Sequence, residues 1–78
     1  MDSDVINLSD KVNVLRGIDQ KLGTDIINLI FEKTLDFTRK ICIKLESDGL
    51  IIQDGTSKTH YRITEKGKQF LYQHYNGI

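Results

Sequence analysis

Seventy-eight residues, with eleven Lys or Arg balanced by eleven Asp or Glu, make a small and formally neutral chain. A domain of this size buries only about 60% of the surface its unfolded chain exposes, so it folds with a thin margin. No apolar run approaches the ~20 residues needed to span a bilayer, the start Met1-Asp2-Ser3-Asp4 lacks the basic region of a secretory signal, and the lone Cys42 cannot close an internal disulfide. These features lead us to expect a cytoplasmic protein, and the lack of repeats or Gly/Ser/Pro-rich linkers reads residues 1–78 as one domain.

The first helix is expected within Asp4 to Lys21, where Val5, Leu8, Val12, Leu15 and Leu22 form one stripe at helical spacing. Ser9 offers a cap for a later start, and Ile6 and Val14 fall off the stripe. Leu22-Gly23-Thr24 breaks the pattern, with Thr24 as cap and Asp25 as first-turn acid of a short second helix to about Lys33. Ile26, Ile27, Leu29, Ile30 and Phe31 nearly encircle that helix, which is therefore expected to be the most buried element. A third helix is expected from about Leu35 to Ser47, with Thr34 available as its cap. Its residues Phe37, Thr38, Ile41, Cys42 and Leu45 fall within about 140° of arc and form a core face. The opposite arc carries Asp36, Arg39, Lys40, Ile43 and Ser47, with Lys44 at its border.

Beyond Gly49, placed as a left-handed residue after the helix, Leu50 to Gln53 reads as a strand and Thr59 to Ile63 as its antiparallel partner. Asp54-Gly55-Thr56-Ser57-Lys58 is the tip between them. The period of two turns Tyr61 and Ile63 inward and His60 and Arg62 outward. A last helix opens with Thr64 as N-cap and Glu65 near the positive end of its dipole. Gly67 costs that helix about 1 kcal/mol relative to Ala, which suggests close packing against the hairpin or the first helix. Phe70, Leu71, His74 and Tyr75 share the Gly67 face, and Tyr72 does not.

In residues, the helix end KLESDGLI and the strand-to-helix junction YRITEKGKQFL resemble the recognition-helix end and wing closure of small prokaryotic winged helix-turn-helix regulators, whether cellular or viral. The resemblance covers roughly the last half of the chain. It implies an α+β winged helix, a three-helix core with a two-stranded β-wing and a C-terminal helix, acting on double-stranded DNA as a transcription regulator. On that reading Asp36, Arg39, Lys40, Ile43 and Lys44 face the major groove, with Arg39 suited to a guanine and Lys40 or Lys44 to phosphate. From the wing, Lys58 and Arg62 can touch the phosphate backbone or an adjacent minor groove, with Ser57 and Thr56 as neutral donors. Residues 1–36 carry a net −3 and residues 37–78 a net +3, so positive charge lies in the half that holds helix three and the wing.

Two departures stand against the family pattern: the wing is only weakly basic, and Lys33-Thr34-Leu35-Asp36 contains no glycine where such turns often do. Ile6, Val14 and Tyr72, left off the core faces, suggest a homodimer through the N- and C-terminal helices or ordinary partial exposure. No enzyme, cofactor, metal or small-molecule effector is expected. His60 and His74 sit on different elements, and neither a phosphate-cradling glycine loop nor a nucleophile elbow is present. The alternative is a winged helix that serves purely as a protein-interaction module, with Ile43 and the spare aromatics as its contact surface.

Overall fold

Residues 6–75, the part described by this computed structural model, form four helices and a two-stranded antiparallel sheet. The order is α1 (Leu8–Asp19), α2 (Thr24–Ile30), α3 (Leu35–Ser47), β1 (Ile51–Gln53), β2 (Tyr61–Ile63) and α4 (Glu65–Tyr75). Val5 of the expected first stripe, and the side chain of Tyr75, lie outside what is described.

Helix α1 lies within the expected span of Asp4 to Lys21, starting at Leu8 and not from a Ser9 cap. Asn7 caps it: its side chain accepts the Asp10 N–H at 2.8 Å, and the Asp10 carboxylate accepts the Asn7 N–H at 3.5 Å. That reciprocal pair satisfies two donors that a bare helix end leaves open. Leu8, on the expected stripe, is exposed, whereas Val14 and Ile18 are buried and Ile6 packs on the core. The buried arc is wider than the stripe because α1 is packed by α3, α4 and β2 together. Val14 and Ile6 are thus core residues and not spare ones.

Three helices end with the same double hydrogen bond, in which successive N–H groups reach back to the last turn. After α1 they are Lys21 to the Ile18 carbonyl at 2.9 Å and Leu22 to the Gly17 carbonyl at 3.0 Å. After α2 they are Glu32 to Leu29 at 3.3 Å and Lys33 to Asn28 at 2.9 Å, and after α3 Gly49 to Glu46 at 3.0 Å and Leu50 to Leu45 at 2.9 Å. Each motif needs a left-handed residue, and φ is 67° at Lys21, 56° at Glu32 and 79° at Gly49. Only the third uses the residue type that adopts this conformation without a Cβ penalty.

Helix α2 departs most from expectation. Gly23 occupies its N-cap, Thr24 is its buried first residue, and the helix stops at Ile30 and not near Lys33 because Glu32 turns left-handed. Ile27 is fully buried, close enough to Gly17 that a Cβ there would sit 2.7 Å from the Ile27 Cγ1. Ile26, Leu29 and Ile30 are 44%, 69% and 54% exposed, so α2 is not the most buried element. A seven-residue helix packed against α3 and, more lightly, α1 has one covered face, and apolar residues elsewhere on it meet solvent.

Helix α3 has the expected bounds. The Thr34 hydroxyl caps it by accepting the Phe37 N–H at 3.1 Å, and Thr38, Ile41, Cys42 and Leu45 are buried with Phe37 packed against them. The hairpin pairs Ile51 with Ile63, Ile52 with Arg62 and Gln53 with Tyr61. It is shorter than expected: a single ladder bond continues beyond each end, Thr64 to Leu50 and Asp54 to His60, because the opposing donors bond elsewhere. Leu50 donates to α3, the Thr59 carbonyl accepts the Thr24 N–H at 2.8 Å, and the Ser57 hydroxyl accepts the His60 N–H at 3.0 Å. Ile51 is buried, Tyr61 and Ile63 pack against the core and Arg62 is exposed, as the period of two requires.

The junction into α4 is tightly tied. Thr64 donates its N–H to the Leu50 carbonyl at 3.0 Å and its hydroxyl to the Gly49 carbonyl at 2.8 Å, while that hydroxyl accepts the Gly67 N–H at 3.0 Å. Gly67 rests on the residue before β1 and on β2: a Cβ there would overlap the Leu50 carbonyl oxygen and sit 2.8 Å from the Ile63 Cγ1. Residues of every helix and of β1 meet in one buried cluster that includes Leu15, Ile27, Ile41, Leu45, Ile51 and Leu71. Among the described residues, no helix is long and apolar enough to cross a membrane.

Candidate nucleic-acid interface

Because one face of α3 is spent on the core, the opposite face stands in solvent. Asp36, Arg39, Lys40, Ile43 and Lys44 are all exposed on it, Ile43 at 63%. Lys44 is partly neutralised by Asp48, whose carboxylate lies 3.7 Å from the Lys44 Nζ and 3.9 Å from the Lys11 Nζ on α1. Exposed pairs of this kind contribute about 0–1 kcal/mol, so an incoming phosphate can displace them. Arg39 lies within electrostatic reach of Tyr61 on β2. Burial, then the neighbouring Cys42 and Glu46, push the Tyr61 hydroxyl above its ordinary range, and the Arg39 charge opposes them. Arg39 and the tip-ward end of β2 are therefore within Coulombic range of one another.

The hairpin residues are less alike than their sequence suggests. Lys58 is exposed at the tip and enters no ion pair among the described residues. Arg62 is exposed but its Nε lies 3.5 Å from the Asp54 Oδ1. Ser57 is half-buried and shapes the tip. Its hydroxyl oxygen accepts the N–H groups of Thr59 at 3.3 Å and His60 at 3.0 Å, and its carbonyl accepts from the Gln53 amide. Its hydroxyl hydrogen faces the His60 Nδ1, so the side chain is spent on the turn. The His60 Nδ1 lies 2.9 Å from the Thr59 hydroxyl and 3.4 Å from that of Ser57, so His60 belongs to the same turn network.

The remaining reactive side chains are packed. Cys42 is fully buried, and burial followed by the Glu46 charge pushes its thiol up to about 12. A thiol in that state is a small apolar filler. The His74 ring stacks at a tilt on Phe70, 4.5 Å between centroids. The described residues contain no group of three or more His, Cys, Asp or Glu arranged to hold a metal ion. Asp48 is the C-cap of α3 and Asp54 belongs to the hairpin tip, and both also pair with cations of the candidate face, Lys44 and Arg62. The Lys44–Asp48 spacing of four on one helix was the available signal for the first pair.

Comparison with known proteins finds no family model, curated protein or solved structure that matches this chain.

Proposed function

We propose that the chain is a winged helix-turn-helix protein that binds double-stranded DNA and regulates transcription, with α3 in the major groove and the hairpin as the wing on the phosphate backbone. The observation that carries this reading is the solvent face of α3, where Arg39, Lys40 and Lys44 flank an exposed Ile43 on a well-capped thirteen-residue helix. Such a helix fits a groove about 12 Å wide, with bases on its flanks for phosphate and an apolar side chain for a thymine methyl. Lys58 and Arg62 suit backbone contact, and the weak charge of the tip argues against insertion into a groove. A homodimer through the terminal helices belongs to the same proposal, supported now by Leu8 and the half-exposed Tyr72 alone.

The test is titration of the purified chain with duplex DNA of random sequence at several salt concentrations. Binding should weaken steeply with salt, since each neutralised phosphate releases about 0.9 of a counterion. On a selected site, Arg39→Ala should cost about 1–3 kcal/mol and relax preference at one base pair. Lys58→Ala should weaken all sequences alike. Absence of binding at low salt rejects the proposal. The protein-interaction module then leads, and it has its own support in the apolar row Ile26, Leu29 and Ile30 on α2.

A further inference from the structure

A hollow of about 190 Å³ opens between the end of α1, strand β2 and the first turns of α4. Its apolar lining is Ile18, Tyr61 and Ile63, and its charged lining is Lys21, Arg62 and Lys68 against the single acid Asp19. We infer that this hollow binds a small amphipathic carboxylate, one negative charge on a short aromatic or branched apolar body. The inference is independent of DNA binding.

Size sets the first limit. Drug-sized ligands occupy pockets of about 300–1,000 Å³, so the occupant here is smaller, near the bulk of a substituted benzoate. Charge sets the second. Three cations face one acid, and among the described residues neither Lys21 nor Lys68 enters an ion pair, while Arg62 is shared with Asp54. A neutral guest leaves those cations unused. A bare inorganic anion leaves the Tyr61 and Ile63 surface wet.

The backbone supplies two further arguments. Lys21 holds a left-handed conformation, with φ 67°, at the position where a helix ending of this type ordinarily takes glycine. The negative end of the α1 dipole favours a cation in this region, yet that preference does not require the one strained position to carry it. The strain is tolerated, and its result is a cation at the rim of the hollow. The hairpin register adds donors. Ladder bonds join Thr64 to Leu50 and Asp54 to His60, which makes Ile52 and Arg62 the hydrogen-bonded pair between them. The N–H groups of Tyr61 and Ile63 therefore point away from β1, to the side where the Thr59 carbonyl meets Thr24 and the chain leaves α1.

The experiment is amide NMR on the uniformly labelled full chain, titrated separately with benzoate, benzamide and inorganic phosphate. Benzoate should saturate, shifting the amides of Lys21, Tyr61, Ile63 and Lys68 together, and it should bind at least about tenfold more tightly than benzamide or phosphate. Lys21→Gln and Lys68→Gln, both at exposed positions, should each weaken benzoate about fivefold with an unchanged spectrum elsewhere. Lys21→Gly should yield a more stable chain that binds benzoate as poorly as Lys21→Gln. Equal binding of benzamide, shifts scattered over exposed lysines at large, or variants that bind like the parent would each overturn the inference.

Discussion

At Gly67 a side chain changes the sign of a familiar substitution. Gly to Ala inside a helix ordinarily stabilises by about 1 kcal/mol. Here the added Cβ meets the Leu50 carbonyl, which is backbone and cannot rotate aside, so Gly67→Ala should destabilise by at least about 1–3 kcal/mol in urea denaturation. Glu32 presents the reverse case. It is exposed and left-handed at 56°, and Glu32→Gly should raise stability by up to about 1 kcal/mol by removing the Cβ penalty. Cys42 gives a pH signature. Its thiol ionises near 9.0 in the unfolded chain and near 12 when folded, so between those values the unfolded state has shed a proton that the folded state keeps. Stability is therefore at its full value below about pH 9 and falls as pH rises, at up to about 1.4 kcal/mol per unit. Tyr61, also raised, acts in the same direction. Denaturation of the parent and of Cys42→Ala from about pH 8 to 10 checks it, since the variant, though less stable overall, should lose the early part of the slope.

Helices α2 and α3 show what makes an element legible. In α3 the cap, the 3.6-residue period and the left-handed glycine beyond it all agree, so the bounds, the core face and the exposed face of the candidate site follow from the residues alone. In α2 the only strong signal was apolar content, which states what burial would stabilise but not whether a neighbour exists to provide it. The left-handed Glu32 carried no warning, because a charged residue is not a turn signal. Two substitutions on α2 separate these ideas. Ile27→Ala should cost about 2–5 kcal/mol, as expected for a fully buried side chain, whereas Leu29→Glu should stay within about 0.5 kcal/mol of the parent.

Across the whole molecule, the cancellation of charge conceals specific pairing. Asp10 lies 3.6 Å from Lys33, Asp48 lies between Lys11 and Lys44, and Asp54 holds Arg62. The division into an acidic and a basic half, visible in the sequence, says nothing of these partners. They arise from the approach of α1 to the α2–α3 connection and to the end of α3, from the spacing of four between Lys44 and Asp48, and from the hairpin turn. Under the DNA-binding proposal, Asp54→Asn should strengthen binding several-fold at low salt by releasing Arg62 and removing a repelling charge, with the gain fading as salt rises. An unchanged titration would show that Arg62 contributes nothing to the contact.

The knot around Thr64 bears on how such a chain can change over time. Three hydrogen bonds and the Gly67 contact lock the base of the hairpin to the end of α3 and the start of α4, so an added residue there would break several of them at once. The tip has no such ties to the helices around Gly55, where even a Cβ would meet nothing within 4 Å. Lengthening a flexible loop costs only about 0.6 kcal/mol for each doubling. New residues can therefore accumulate at the tip while the base stays as it is, and the reach of the hairpin becomes the property of this fold that variation can alter most cheaply.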